Sequence, residues 1–184
     1  MGRFGIGQPV RRFEDPRLLR GEGRFVHDVS LPGQAYAVVL RSPHAHARIR
    51  SIDTARATRA AGVLAVYTGA DLVRDGLGTT RMTLHRKRPD GSPMFAPPHP
   101  GLAQERVRYV GDPVAFVVAE TLAQAEDAAE LVDVDYEPLP SVTSTAAAGP
   151  GSPPVWDECP DNISNVFEVG DRAATDAASP GRIA

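Results

Sequence analysis

Two histidines separated by a single residue are the most chemically suggestive feature of this sequence. His44 and His46 lie in the segment 41–49, RSPHAHARI, and in an extended chain both rings would lie on one face. Such a pair suits metal binding, and three other histidines could supply a third nitrogen: His27, His85 and His99. The alternative is a tight turn after Pro43, in which the histidines hydrogen-bond to the backbone.

The other reactive residue types lack part of the arrangement that their chemistry requires. Ser42 lies too close to His44 in sequence to form a catalytic triad. Cys159 has acidic neighbours, which raise the pKa of a thiol rather than activate it. Four carboxylates surround one predicted helix and favour a solvated face over an acid–base pair: Glu120, Glu126, Asp127 and Glu130.

Two glycine pairs and one basic run match ligand-binding motifs only in part. The pairs Gly5/Gly7 and Gly21/Gly23 lack the third glycine and the strand–helix context of a dinucleotide-binding loop. The run Arg86-Lys87-Arg88 has no aromatic neighbours, and the net charge of −3 provides no basic field for nucleic acid. The sequence therefore predicts no catalytic, cofactor-binding or metal-binding residue.

Composition places the chain among ordinary globular proteins. Its 184 residues are 42% hydrophobic and 23% charged, which indicates one domain with appendages. The single cysteine excludes an internal disulfide and fits a reducing compartment. There is neither an apolar run of about 18 residues nor a signal-peptide core at the N-terminus. We therefore expect a cytoplasmic protein without a membrane partner.

The regular elements that would position these side chains begin at residue 34. Residues 34–42 and 63–68 are apolar runs and are predicted to be strands buried on both faces. Residues 48–52 suggest a short strand, and residues 54–61 a helix. Gly62 suits the left-handed position that closes such a helix.

A second set of elements follows residue 106. Two strands joined by a tight turn at Gly111, where a positive φ is expected, are predicted over residues 107–119. Thr121 and Gln124 have capping-box spacing at the start of a helix. Residues 132–137 alternate between apolar and polar side chains as a half-exposed strand does.

The order of these elements predicts an α+β fold with a mixed sheet and two short helices. Residues 1–23 are expected to be an extended arm, because their glycines and prolines break helices. Residues 24–140 would form the domain, with a long loop at 75–102. Residues 141–184 are rich in Ala, Gly, Pro and Ser and suggest a linker in which Trp156 docks locally.

Several segments, in order, resemble one family: the large, molybdenum-cofactor-bearing subunit of the xanthine dehydrogenase, aldehyde oxidase and aerobic carbon monoxide dehydrogenase group. Residues 8–169 resemble the N-terminal α/β hammerhead domain of that subunit, and residues 165–177 resemble its connector to the cofactor domains. The segments that carry the resemblance are 10–21, 29–33, 40–49, 62–66, 102–103, 107–121 and 134–140.

The resemblance implies a part in oxidative hydroxylation, or in carbon monoxide oxidation, within a larger complex. Such holoenzymes use molybdopterin-bound molybdenum, [2Fe–2S] clusters and usually FAD, carried partly on iron–sulfur and flavin subunits. The family's pterin-binding loops and catalytic glutamate have no counterpart here, so this chain alone is expected to bind no cofactor. Its implied role is structural, with partner contacts expected at residues 1–23 and 75–102.

Two alternatives stay open from the sequence. One is a free-standing binding module with a metal held by His44 and His46. The other is a nonfunctional remnant, because after Ala178 the family's alanine- and valine-rich strand gives way to SPGRIA. That ending is what a truncated or frameshifted reading frame would produce, and a split gene would produce it as well.

Overall fold

A computed structural model describes residues 11–80, 82–88, 90–167 and 169–179. The chain divides into two compact units, Met1–Gln34 and Ala35–Ala184. The described part of the first unit contains a short helix, α1 (Asp15–Leu19), and a 3-10 turn at Val26–Asp28. The expectation that prolines keep this arm free of helix was wrong at α1. Pro16 lies in its first turn, where no intrahelical amide donor is needed.

The second unit is built on short strands in antiparallel ladders. In chain order the strands are β1 (Tyr36–Arg41), β2 (Ala47–Asp53), β3 (Val63–Thr68), β4 (Thr79–Thr80), β5 (His99–Pro100), β6 (Arg106–Val107), β7 (Pro113–Ala119) and β8 (Asp133–Pro138). One sheet has the order β1–β7–β3, a second has the order β6–β2–β8, and β4 pairs with β5.

This arrangement confirms the predicted α+β class and corrects one detail of it. The pairs between described strands are antiparallel, so the expected mixed sheet is replaced by separate antiparallel sheets. Strands that are neighbours in sequence, β1 with β2 and β6 with β7, belong to different sheets. Sequential strands often pair with each other but need not do so, and the order of elements therefore did not specify how many sheets would form.

Four further helices complete the described elements: α2 (Ala55–Thr58), α3 (Gly69–Arg74), α4 (Leu122–Glu130) and α5 (Arg172–Ala178). The capping pair of α4 is confirmed, since the backbone amide of Gln124 donates to the Thr121 hydroxyl oxygen at 3.3 Å. The Gln124 side chain accepts from that hydroxyl rather than from the backbone. Gly62 has the expected left-handed conformation, with φ of +76°, although α2 is shorter than predicted.

The central strand β7 organises the core. Its Ala115 and Val117 pack against α4, and Val114 packs into a second cluster with residues of β2 and β6. The prediction that β1 and β3 are buried on both faces was wrong, because both are only partly buried. They flank β7 as outer strands of a sheet, and α4 covers only one face of that sheet. In β7, by contrast, four of the seven residues are fully buried: Val114, Ala115, Val117 and Ala119.

Substitution of Gly111 tests whether the backbone conformation at this turn contributes to the stability of the domain. Its φ is +92°, as predicted, and a Cβ there would meet no atom within 4 Å. We therefore expect Gly111→Val to lower the free energy of unfolding by about 1–3 kcal/mol through backbone strain alone. Gly111→Asn should lose less, because asparagine tolerates a left-handed backbone. Denaturant unfolding measures both, and a valine variant as stable as the wild type would contradict this interpretation.

Candidate partner-binding surface

The two histidines that suggested a metal site are engaged within the fold. His46 is buried, and its Nδ1 lies 2.9 Å from the carbonyl oxygen of Pro140. The His44 ring packs against Tyr136 with ring centroids 4.9 Å apart. The His44 amide donates to the Ser42 hydroxyl oxygen, as in the tight-turn alternative. Among the residues that the structure describes, no group of three or more His, Cys, Asp or Glu side chains could hold a metal ion.

The thiol and the acidic helix behave as the sequence predicted. Cys159 is buried, and burial raises the pKa of its thiol, reinforced by the neighbouring Asp161 carboxylate. The thiol is therefore not an activated nucleophile. The four carboxylates around α4 are exposed, as expected for a solvated face: Glu120, Glu126, Asp127 and Glu130. Gly21 and Gly23 follow α1, with no strand before them from residue 11 onward, while Gly5 and Gly7 lie outside the described residues.

The basic run is used inside the fold rather than displayed as a patch. The Arg86 guanidinium lies 3.7 Å from the centroid of the Phe167 ring. Arg88 donates to the carbonyl oxygens of Ile163 and Ser164. Only Lys87 in this run has an exposed side chain.

Two further arginines, which the sequence analysis did not single out, contact the C-terminal segment. Arg106 forms a 2.9 Å ion pair with Asp157. The Arg108 guanidinium lies 3.5 Å from the centroid of the Trp156 ring, which confirms that Trp156 docks locally. Burial lowers the pKa of Arg108. The sequence did contain a signal for these contacts. Arg106 and Arg108 alternate with Val107, which places both arginines on one side of an extended segment.

An apolar groove lies on the face of the β1–β7–β3 sheet that α4 leaves uncovered. Phe116 alternates with the α4-facing Ala115 and Val117, and it pairs in register with Val39 and Tyr67. Beside it is a cavity of about 460 Å³, lined by Tyr67, Leu72, Asp75, Leu77, Gly101, Leu102 and Phe116. Leu77 is 59% exposed there. A concave surface with exposed apolar side chains is typical of a site that contacts another protein surface.

Known proteins match both the fold and this sequence. The family model for the aldehyde oxidase and xanthine dehydrogenase a/b hammerhead domain matches residues 20–140. The chain belongs to this family. The matched residues contain all the described strands and thus both three-stranded antiparallel sheets. Separately, no helix in the described ranges is long and apolar enough to cross a membrane.

Relatives of this hammerhead chain are much longer. It is 38% identical to the carbon monoxide dehydrogenase large chain of Afipia carboxidovorans, over 94% of this chain and 22% of that protein. A crystal structure of Cu,Mo-CO dehydrogenase matches with a TM-score of 0.70 and 38% identity, over 94% of this chain and 22% of that one. The crystal structure of quinoline 2-oxidoreductase from Pseudomonas putida 86 matches with a TM-score of 0.67 and 44% identity, over 76% of this chain and 17% of that one. The chain thus spans about a fifth of the length of these relatives.

Proposed function

We propose that this hammerhead chain has a structural role in a molybdenum hydroxylase large subunit and acts in the cytoplasm. It would support the catalytic domains and their iron–sulfur and flavin partners without itself reacting. The observation that carries this proposal is the hammerhead match over residues 20–140, within relatives that are named as large chains. In the proposed division, residues 1–23 are an arm, 24–140 the domain and 141–184 a linker.

The described residues do not fit a molybdenum cofactor site. They include no cluster of metal-ligating side chains. Two cavities among the described residues, one beside Phe116 and one beside Cys159, are lined mainly by apolar side chains, whereas an anionic, phosphate-bearing cofactor needs convergent donors. Molybdopterin, iron–sulfur clusters and FAD would therefore be held by other parts of the complex.

Affinity purification of this chain from its native cells tests the proposal. We expect molybdenum and iron in the eluate, together with polypeptides that correspond to the part of the relatives outside this segment. Mass spectrometry identifies the polypeptides, and elemental analysis measures the metals. A metal-free chain that is recovered alone would contradict the proposal and favour a nonfunctional remnant.

The apolar groove provides the matched variant for this experiment. Leu77→Asp places a charge on the groove, and we expect molybdenum recovery to fall on the order of tenfold, because charges are excluded from the centre of interfaces. Leu122→Asp is the control, since Leu122 is 48% exposed on α4, across the sheet from the groove. Equal recovery with both variants would show that the groove is not the contact surface.

A further inference from the structure

Residues 155–165 are attached to the rest of the second unit largely through polar contacts of arginines. Arg88 donates from its guanidinium to the carbonyl oxygens of Ile163 and Ser164, and lies 3.6 Å from the Asp161 carboxylate. Its side chain is 26% exposed, so these contacts are partly shielded from water. Charge-assisted hydrogen bonds of this kind are stronger than neutral ones.

Two more arginines hold the beginning of the same segment. Arg106 pairs with Asp157 at 2.9 Å, and the Arg108 guanidinium covers the Trp156 ring at 3.5 Å. The Arg106 side chain is 21% exposed. Both arginines come from the stretch that begins with β6, whereas Arg88 comes from the long loop. The segment is therefore held from two separate parts of the domain.

The segment is also braced by hydrogen bonds around Asn162. The Val155 amide donates to the side-chain oxygen of Asn162 at 2.9 Å, and the Asn162 side chain donates to the Pro153 carbonyl at 3.0 Å. Outside the segment, Phe95 of the long loop exchanges two hydrogen bonds with Ser164, one from each residue, and these bonds add to the Arg88 contacts at this end. Loss of the arginine contacts would thus weaken the attachment of a stretch of chain rather than of a single side chain.

Cys159 lies inside this attachment. Its sulfur is 3.6 Å from the Arg88 guanidinium, and the residue is 4% exposed. It lines a cavity of about 340 Å³ together with Phe95, Trp156 and Asn162. Release of the segment would expose the thiol.

We propose that Arg88, Arg106 and Arg108 form a clasp that fixes residues 155–165 on the domain, and that the clasp opens without unfolding of the core. The closed clasp sets the direction in which the chain continues into three exposed apolar residues, Val166, Phe167 and Val169, which are 50%, 65% and 78% exposed. This inference rests on contacts within the chain and is independent of the proposed function. Local opening below the global unfolding free energy is common in segments with few buried apolar contacts.

The rate at which Cys159 reacts with a thiol reagent under native conditions tests the clasp in the full chain. Cys159 is the single cysteine of the sequence, so the label reports this site alone. Arg88→Gln should raise the labelling rate on the order of tenfold, the effect expected from loss of a charge-assisted contact. Lys87→Gln removes the same charge from the exposed neighbouring residue and should leave the rate unchanged.

Two more variants separate the clasp from general loss of stability. Asp157→Asn weakens the Arg106 contact at a carboxylate that is 67% exposed, so it keeps the test possible if Arg88→Gln does not fold. Val117→Ala weakens the core cluster against α4, which contains none of the three clasp arginines. Equal acceleration by Val117→Ala would mean that the thiol is reached only by global unfolding, and wild-type rates in both clasp variants would mean that the arginines do not hold the segment. Either result would overturn the proposal.

Discussion

Replacing Val117 with aspartate is expected to remove most of the stability of the domain. Val117 is fully buried in β7 and packs between α4 and the flanking strands. An ionised carboxylate there would have no described cationic partner in its cluster, which consists of hydrophobic residues. Burial of an unpaired charge is among the few changes that cost more than about 4 kcal/mol. Circular dichroism and denaturant unfolding should show a chain that is largely unfolded.

Two controls distinguish charge burial from other causes. Val117→Ala removes volume without adding polarity and should cost about 2 kcal/mol. Leu64→Asp places the same charge on the outer strand β3, where the side chain is 58% exposed, and should change stability little. A folded Val117→Asp protein with near-normal stability would mean that β7 is not the centre of the core.

Replacing Gly69 with alanine is expected to cost about 3 kcal/mol through steric conflict rather than backbone strain. Gly69 begins α3 and is buried. A Cβ at this position would lie 2.3 Å from the Ala103 carbonyl oxygen. That atom belongs to the backbone, and the Ala103 amide donates to the Pro113 carbonyl at 2.7 Å. Relief of the conflict would therefore disturb the start of β7.

Gly78→Ala is the matched control for this prediction. A Cβ at Gly78 would meet nothing within 4 Å, and its backbone is not left-handed. This substitution should leave stability unchanged or raise it by up to about 1 kcal/mol, because alanine restricts the unfolded chain. Thermal unfolding of the two variants side by side measures the difference. Equal melting temperatures would show that α3 does not approach Ala103 closely.

Short-range patterns in the sequence were sufficient where the physical cause is also short-range. The positive φ at Gly62 and Gly111 is confirmed, because a tight chain reversal favours glycine whatever surrounds it. The cap of α4 by Thr121 depends on atoms three residues apart. The expectation that Cys159 is not activated is confirmed as well, although burial contributes more to its raised pKa than the charges around it.

The pairing of strands, by contrast, could not be predicted from short-range sequence patterns. Val38 faces Val117 across β1 and β7, far apart in sequence, and no local pattern specifies which run lies at the centre of a sheet. An apolar run predicts that a strand is buried, but it does not indicate whether one face or both faces of the strand are covered. The apolar groove was missed for the same reason, because Leu77 and Phe116 approach a common cavity only after the chain folds.

The sequence by itself determined the family, the α+β class and the principal turns. Each of these depends on residue types at short spacing or on the order of segments. Only the tertiary structure decided that the strands form separate antiparallel sheets, that His46 is directed to the Pro140 carbonyl, and that Arg88 holds the C-terminal segment. Those contacts join residues far apart in the chain, so they depend on packing rather than on any local periodicity.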